Sequence, residues 1–234
     1  YISDFRIVKG TAVYTSAFTP PTAPLPAITN TKLLLNMADA QAFDSTGKNN
    51  LILVANANTS TDQAKSGDTS LHVDGTGDLI YTGEGDAFAF GNGDFTIEFW
   101  YYGDATQDDY LFDMRLSGDN EARVAVYFNA NAKLSYFVTN ATRITTTTAL
   151  SANTWTHIAL VRSSAVTRFY FNGNQDNQSF SDSIVMLAAP IRIGRKYADA
   201  QYVTGYFDDF RISKVARYTG NFSAPTKQLP DTGP

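Results

Sequence analysis

The side chains best suited to chemistry in this sequence are its carboxylates. Glycoside cleavage needs two carboxyl groups that face one cleft, for example at i and i+2 along a strand. Glu84 and Asp86 have this spacing, but they lie in a glycine-rich turn. Glu98 has no carboxylate two residues away, and the adjacent members of Asp108–Asp109 and Asp208–Asp209 should point to opposite faces of a strand. The pattern predicts that the protein is not an enzyme.

The two histidines could bind a metal or act in catalysis, but the sequence gives them no partners. His157 lies in an apolar run between Trp155 and Ala159, and His72 also lies in a strand-like segment. There is no cysteine, so thiolate metal sites and disulfides are excluded. No Ser-His-Asp order suggests nucleophilic catalysis. We expect both histidines to be core residues.

The loop Arg195–Tyr202 has the composition of a saccharide site. Sugar rings stack on tyrosine faces, while arginine and aspartate supply hydrogen bonds. We predict that a glycan, such as a host surface polysaccharide, binds to four residues of this loop: Arg195, Tyr197, Asp199 and Tyr202. The alternative is that the tyrosines cover the rim of the fold. Residues 104–110 form a second candidate loop.

The composition indicates that strands position these residues. The 234 residues include 16 Phe and 13 Tyr, with long Thr, Val and Ile stretches that favour strands. A net charge of −5 argues against a nucleic-acid partner, which usually requires a basic patch. No apolar run approaches the ~20 residues that a membrane-spanning helix needs, so we expect no membrane insertion.

Period-2 alternation predicts an all-β fold. Phe95–Tyr102 alternates an apolar face with a Thr/Glu/Trp/Tyr face, and Asn172-Gly173 is a strong hairpin signal after Thr167–Phe171. The best helical candidate, Ser213–Phe222, is limited by Gly220 to about one or two turns. Further strands are predicted at 2–8, 32–36, 70–74, 111–116, 123–128, 133–138, 143–148, 155–161, 184–187, 191–194 and 206–213. The predicted core is Phe95, Ile97, Phe99, Trp155, Leu160, Phe169, Phe171, Phe210 and Ile212.

The two ends of the chain repeat one another. Asp4–Ile7 and Lys9 recur as Asp209–Ile212 and Lys214, an offset of 205 residues. After one residue of slippage, further matches follow between Tyr14, Thr15, Phe18, Pro21, Thr22, Leu25 and Pro26 and Tyr218, Thr219, Phe222, Pro225, Thr226, Leu229 and Pro230. We interpret residues 1–26 as the terminal strand and linker of a preceding repeat. Residues 27–230 are then one full domain, and 231–234 a linker to a following segment.

The strand Ile2–Val8 has no sandwich of its own under this interpretation. An isolated strand leaves its backbone groups unpaired. We therefore predict that it pairs with a neighbouring chain as an added strand in a head-to-tail homo-oligomer. The alternatives are an edge strand on its own domain and an unordered segment.

Several blocks resemble the laminin-G-like, concanavalin A-like superfamily. They are Ser70–Tyr81, Gly93–Trp100, Trp155–Arg162 with Phe169–Gly173, Ile191–Gly194 and Gly205–Ile212, in the family's order. The resemblance implies an antiparallel two-sheet jelly-roll sandwich, often in tandem arrays. The family includes carbohydrate-binding modules, adhesion domains and virion proteins. The Asn/Thr-rich sequence, with its loop at 43–48, most resembles copies in bacteriophage tail and structural proteins.

The resemblance also implies a structural calcium ion. Asp44, with Asp208 or Asp209 on the last strand, resembles the positions that some relatives use, and hard cations prefer several oxygen ligands. The alternative is that Asp44 caps its own turn and that Asp209 pairs with Arg211.

Two functions of different classes follow. The first is a non-catalytic glycan-binding or host-attachment module, extracellular or on a virion surface. The second is a structural repeat of a fibre, tail or filament, assembled by strand exchange between subunits.

Overall fold

The computed structural model describes residues 5–22, 25, 28–35, 44–45, 49–83, 88–106 and 108–229. The chain forms two compact units, Tyr1–Ala40 and Gln41–Pro234. No helix among these described residues is long and apolar enough to cross a membrane. Glu84 and Asp86, the two carboxylates with glycosidase-like spacing, lie outside the described residues.

The first unit contains a two-stranded antiparallel sheet. Strand β1 (Phe5–Val8) pairs with β2 (Thr31–Leu35), with Phe5 opposite Leu35. The expectation of an isolated N-terminal strand therefore needs correction, because one edge of β1 has its partner inside the chain. Pairing with a neighbouring chain stays a prediction for the other edge.

The second unit is a sandwich of two seven-stranded antiparallel sheets. Sheet I contains, in spatial order, β11 (Ala141–Ala149), β10 (Lys133–Val138), β9 (Ala125–Phe128), β8 (Tyr110–Asp113), β15 (Arg192–Ile193), β6 (Leu79–Thr82) and β3 (Leu51–Val54). Sheet II contains β14 (Asn174–Ser181), β13 (Val166–Phe171), β12 (Thr156–Ser163), β7 (Phe95–Gly103), β16 (Thr204–Ser213), β5 (Ser70–Asp74) and β4 (Asn58–Ser60). This arrangement confirms the predicted all-β, two-sheet jelly roll.

Alternation along β7 builds the core. Phe95, Ile97 and Phe99 are 0–1% exposed and face sheet I, where the Phe99 ring packs edge-on against Phe112. Most of the predicted core is buried, and Phe210 and Ile212 are partly buried against it.

Trp155 is the exception among the predicted core residues. It is half-buried, and its ring lies 5.5 Å from that of Tyr102 on the outer face of sheet II. Trp155 immediately precedes Thr156, the first residue of β12. Strand alternation therefore places it with the side chains of that strand that face outward.

The outer face of sheet II is covered by the segment after β16, residues 214–222, which we call the strap. Ala216, Tyr218 and Phe222 of the strap pack against Ala159, Val161 and Tyr170 of the sheet. The best helical candidate, Ser213–Phe222, is not helical, since β16 continues to Ser213 and the strap follows as irregular chain. The predicted strand at 184–187 is also reduced, to an isolated bridge between Gly91 and Met186.

Candidate ligand-binding groove

Three of the four residues predicted to bind a glycan meet at one place, which we call the Asp199 cluster. Arg195 Nη1 forms an ion pair with Asp199, and the Tyr202 hydroxyl donates a hydrogen bond to the same carboxylate oxygen. Arg195 Nη1 also lies 3.3 Å from the Tyr202 hydroxyl. The Asp199 side chain is 79% exposed, so the cluster keeps open access to solvent.

The Asp199 cluster forms one wall of a groove of about 440 Å³. Its other lining residues come from strands of sheet I and the turns beside them: Val54, Gly77, Leu79, Tyr81 and Arg192. The Arg192 guanidinium lies over the Tyr81 ring, 5.2 Å from its centre. The groove thus combines two tyrosines, two arginines and one carboxylate with a small apolar surface, which are the groups that hold sugars.

The strand residues of the groove are not among those predicted from the sequence. Tyr81 and Arg192 are 111 positions apart and become neighbours only because β6 pairs with β15 in the register Tyr81 to Arg192. Tyr81 does carry a local signal, because it follows the buried Ile80 and so faces away from the core. The partner strand carries no comparable signal.

Tyr197, the fourth predicted residue, lies apart from the groove lining. Its backbone N–H donates to Asp113 Oδ2 at 3.0 Å, and its ring packs 4.8 Å from the Arg115 guanidinium. Asp113 and Arg115 are fully buried and form an ion pair of 2.7 Å. Burial raises the pKa of Asp113 despite this pairing. Tyr197 therefore anchors the loop to the protein interior.

Glu98 is the centre of a buried set of groups that we call the Glu98 cluster. Arg211 donates to Glu98 Oε1 from Nε at 2.9 Å and from Nη2 at 2.7 Å, and the Tyr218 hydroxyl donates to Oε2 at 2.8 Å. His157 Nε2 lies 3.3 Å from Oε2. The carboxylate is 0% exposed, so it cannot reach a substrate.

The electrostatics of Glu98 fit a structural role. Burial acts to raise the pKa of Glu98, but the nearby His157 ring, the Arg211 charge and the Tyr218 hydroxyl outweigh it, and the pKa is lowered. His157 is itself fully buried, with its ring edge-on to Trp100 and Phe222. The histidine is a buried residue as expected, but it lies beneath the strap rather than between the sheets.

Asp208 and Asp209 do not obey strand alternation, because β16 contains a bulge. The pairing register shifts between Asp208 and Arg211, and Asp209 adopts a left-handed φ of 50°. Asp208 accepts hydrogen bonds from the N–H groups of Lys65 and Ser66, and Asp209 accepts one from the Ser66 hydroxyl. The expectation of opposite faces is wrong: both carboxylates turn to one loop.

The other predicted calcium ligand, Asp44, accepts hydrogen bonds at 2.9 and 2.8 Å from the backbone and side-chain N–H groups of Asn49. The expected pairing of Asp209 with Arg211 is replaced by the contact of Arg211 with Glu98. The part of the chain that the structure describes contains no group of three or more His, Cys, Asp or Glu side chains arranged to hold a metal. Calcium binding stays a prediction.

One protein family matches this chain. The model of the concanavalin A-like lectin/glucanases superfamily matches residues 74–219, more than half of the sequence. No curated protein sequence matches it.

Solved structures share the fold at low identity. Domain 4 of AbnA, a GH43 extracellular arabinanase from Geobacillus stearothermophilus, was solved in complex with arabinotriose. It is 15% identical with a TM-score of 0.55, over 69% of this chain and 77% of that one. A Trypanosoma rangeli sialidase mutant displaying trans-sialidase activity is 13% identical with a TM-score of 0.52, over 69% and 28%. Domains LG4-5 of the mouse laminin α1 chain are 15% identical with a TM-score of 0.50, over 67% and 46%.

Proposed function

The chain belongs to the concanavalin A-like lectin/glucanases superfamily, and we propose that it is a non-catalytic carbohydrate-binding module. The groove beside the Asp199 cluster is the observation behind this proposal. Tyr81 and Tyr202 offer aromatic faces for sugar rings, while Arg195 and Asp199 offer hydrogen bonds in a fixed geometry. A neighbour of the same fold was solved in complex with arabinotriose, which supports an oligosaccharide as the ligand.

The composition of the groove favours binding over cleavage. Glycosidases of the usual kind place two carboxyl groups about 5–10 Å apart across the scissile bond. Asp199 is the one carboxylate among the described residues that line the groove. It is already paired with Arg195, and this pairing suits recognition of a hydroxyl group. We propose that the module serves attachment to a host or cell surface, in an extracellular or virion-surface protein.

A glycan array probed with the wild-type chain tests the proposal directly. We expect selective binding to a small set of oligosaccharides and its loss in Tyr202→Ala and Tyr81→Ala. Tyr127→Ala is the matched control, because this half-buried tyrosine of β9 lies outside the groove lining and outside the loop. Retained binding in Tyr127→Ala with loss in Tyr202→Ala supports the groove. If the wild-type chain shows no selective binding, the proposal fails.

The internal repeat favours a second candidate function. The matches between residues 4–26 and 209–230 are typical of tandem arrays. A structural repeat of a fibre, tail or filament would need no small ligand and would give no selective signal on the array.

A further inference from the structure

An aromatic pair with the same spacing and geometry occurs at both ends of the chain. Tyr218 and Phe222 stack with their ring centres 3.5 Å apart and an interplanar angle of 5°. Tyr14 and Phe18 stack at 3.7 Å and 9°. Each pair consists of a tyrosine followed four residues later by a phenylalanine, so the sequence repeat is also a repeat of local structure.

The C-terminal pair has a clear task. Tyr218 and Phe222 cover Ala159, Val161 and Tyr170 on the outer face of sheet II. The Tyr218 hydroxyl also donates to the buried carboxylate of the Glu98 cluster. Without the strap, these apolar side chains and a buried charge would be open to water.

The sheet is shaped for close contact with the strap. The Phe222 N–H donates to the Gly173 carbonyl at 2.9 Å, and a Cβ at Gly173 would lie 1.9 Å from the Phe222 carbonyl oxygen. Asn221 Oδ1 accepts the N–H of Gln175 in the next strand. The turn between β13 and β14 is therefore part of the strap's binding surface.

The N-terminal pair has the same form but is exposed. Tyr14 is 46% and Phe18 52% exposed. The two stacked rings form a contiguous apolar surface that stays about half exposed, and contiguous exposed apolar surface is a feature of interaction sites. The segments Ala12–Thr22 and Ala216–Thr226 have equal length and are identical at six of eleven positions.

The differences between the two segments are also informative. Arg217 Nε donates to Ser213 Oγ at 2.6 Å at the start of the strap. The repeat places Val13 and Val8 at these positions. The polar pair of Arg217 and Ser213 is thus replaced by the apolar pair of Val13 and Val8. This joint replacement is expected if the two side chains of each pair contact one another in both copies of the repeat.

We propose that Ala12–Thr22 is the strap of a second sandwich domain of this family, one that stands before this domain in a tandem array. This segment would bind to the outer face of that domain's counterpart of sheet II. The face would present alanine or small β-branched side chains beside a tyrosine, and a buried carboxylate would accept a hydrogen bond from the Tyr14 hydroxyl. The docking of this segment is independent of the ligand groove.

The size of the contact indicates a partner in the same polypeptide. Two aromatic side chains bury about 150–250 Å² each, whereas stable interfaces between separate proteins bury about 1,200–2,000 Å² in total. A strap this small binds weakly as a separate molecule. A short linker raises its effective concentration to the millimolar range, which makes docking favourable.

A strap exchange tests the fit within the intact chain. The exchanged segment, Ala216–Thr226, contains most of the strap and the four residues after it. Replacing it by the sequence of Ala12–Thr22 requires five substitutions, and Ser213→Val is added so that the counterparts of Val13 and Val8 are both present. Gly220, which becomes serine, has open space around a Cβ and no left-handed φ. We expect the exchanged chain to fold with a Tm close to that of the wild type. The control Tyr218→Ser/Phe222→Ser should have a clearly lower Tm. An exchanged chain that is unfolded, or as unstable as this control, overturns the proposal.

A peptide of residues 9–22 provides a second, independent measurement. The protein that receives the peptide is a variant with four substitutions: Tyr218→Ser and Phe222→Ser, which uncover the outer face of sheet II, and Tyr14→Ser and Phe18→Ser, which prevent its own N-terminal pair from competing with the peptide. We expect its Tm to rise with millimolar peptide, because a ligand that binds only the folded state stabilises it. The peptide with Tyr14→Ser and Phe18→Ser should have no effect, and the wild-type chain, whose face is occupied, should not respond. No rise in the Tm of the receiving chain overturns the proposal.

Discussion

The Glu98 cluster and the Asp199 cluster contain the same three kinds of side chain: a carboxylate, an arginine and a tyrosine. In both, the arginine and the tyrosine hydroxyl bind to the carboxylate. Their surroundings differ. The Glu98 side chain is 0% exposed beneath the strap, whereas the Asp199 side chain is 79% exposed at the groove.

This difference decides what each cluster can do. In a buried site, water cannot replace a lost partner, so each hydrogen bond contributes to the stability of the fold. At an exposed site, water competes, and the ion pair contributes little to stability. The same exposure lets a ligand hydroxyl take the place of water. The same three kinds of side chain therefore hold the strap in the Glu98 cluster and offer a binding surface in the Asp199 cluster.

The largest expected effect is the difference in stability between a variant without the Glu98 carboxylate and a variant without the Asp199 carboxylate. Glu98→Ala removes a fully buried carboxylate and leaves Arg211, whose side chain is 17% exposed, and the Tyr218 hydroxyl without this partner. It should lower the free energy of unfolding by about 3 kcal/mol. Asp199→Ala should lower it by less than about 1 kcal/mol. Urea unfolding measures both, and Phe99→Ala gives a scale for the loss of a core side chain, about 3–5 kcal/mol. Equal effects of Glu98→Ala and Asp199→Ala would contradict the contrast.

The next largest effect on stability is expected from changing the contact between the strap and sheet II. Gly173→Ala puts a methyl group into the strap backbone and strains a φ of 83°, which should cost about 1–3 kcal/mol. Gly220→Ala, in the strap itself, meets no atom within 4 Å and is the matched control. We expect thermal unfolding to show a lower Tm for the first variant only. If the two Tm values agree, the strap does not depend on this close approach.

Acid should weaken the buried Glu98 cluster. The pKa of Glu98 is lowered from its ordinary value of 4.5, so the folded state binds this proton less readily than the unfolded state does. Its contribution to stability is present above pH 4.5 and is lost as the pH falls through the lower pKa of the folded state. Glu98→Gln should therefore flatten the acid side of the stability curve, measured by urea unfolding from pH 3 to 6. An unchanged slope would show that other carboxylates dominate.

The smallest effect that we predict is that of a chelator. If Asp44 and Asp208 or Asp209 hold calcium, the Tm should fall when the ion is removed, since a ligand of the folded state stabilises it by mass action. Asp44→Asn and Asp208→Asn should lose this response. A Tm that does not change on chelation or on calcium addition would contradict calcium binding by these carboxylates.

Local patterns predict most of the fold but only part of the groove. Alternation in Phe95–Tyr102 and the Asn172-Gly173 turn identify β7 and the β13–β14 hairpin, because these signals depend only on near neighbours. The loop composition selects Arg195, Asp199 and Tyr202 together with Tyr197. Composition cannot say which side of the loop a tyrosine faces, and the structure turns Tyr197 toward Arg115.

The remaining features depend on contacts that are distant in sequence. Tyr81 and Arg192 line the groove because of strand register, which a single sequence does not reveal. The bulge at Asp209 turns Asp208 and Asp209 toward the same loop instead of opposite faces, and bulges have no strong sequence signature outside glycine.

The position of β16 has a consequence for synthesis on the ribosome. This strand lies between β7 and β5 in the middle of sheet II, yet its residues, 204–213, are near the C-terminal end of the domain. Sheet II cannot close before they emerge, and until the strap follows, Ala159, Val161 and Tyr170 stay uncovered. Folding through such late, long-range pairing is slow and leaves apolar surface exposed to other nascent chains.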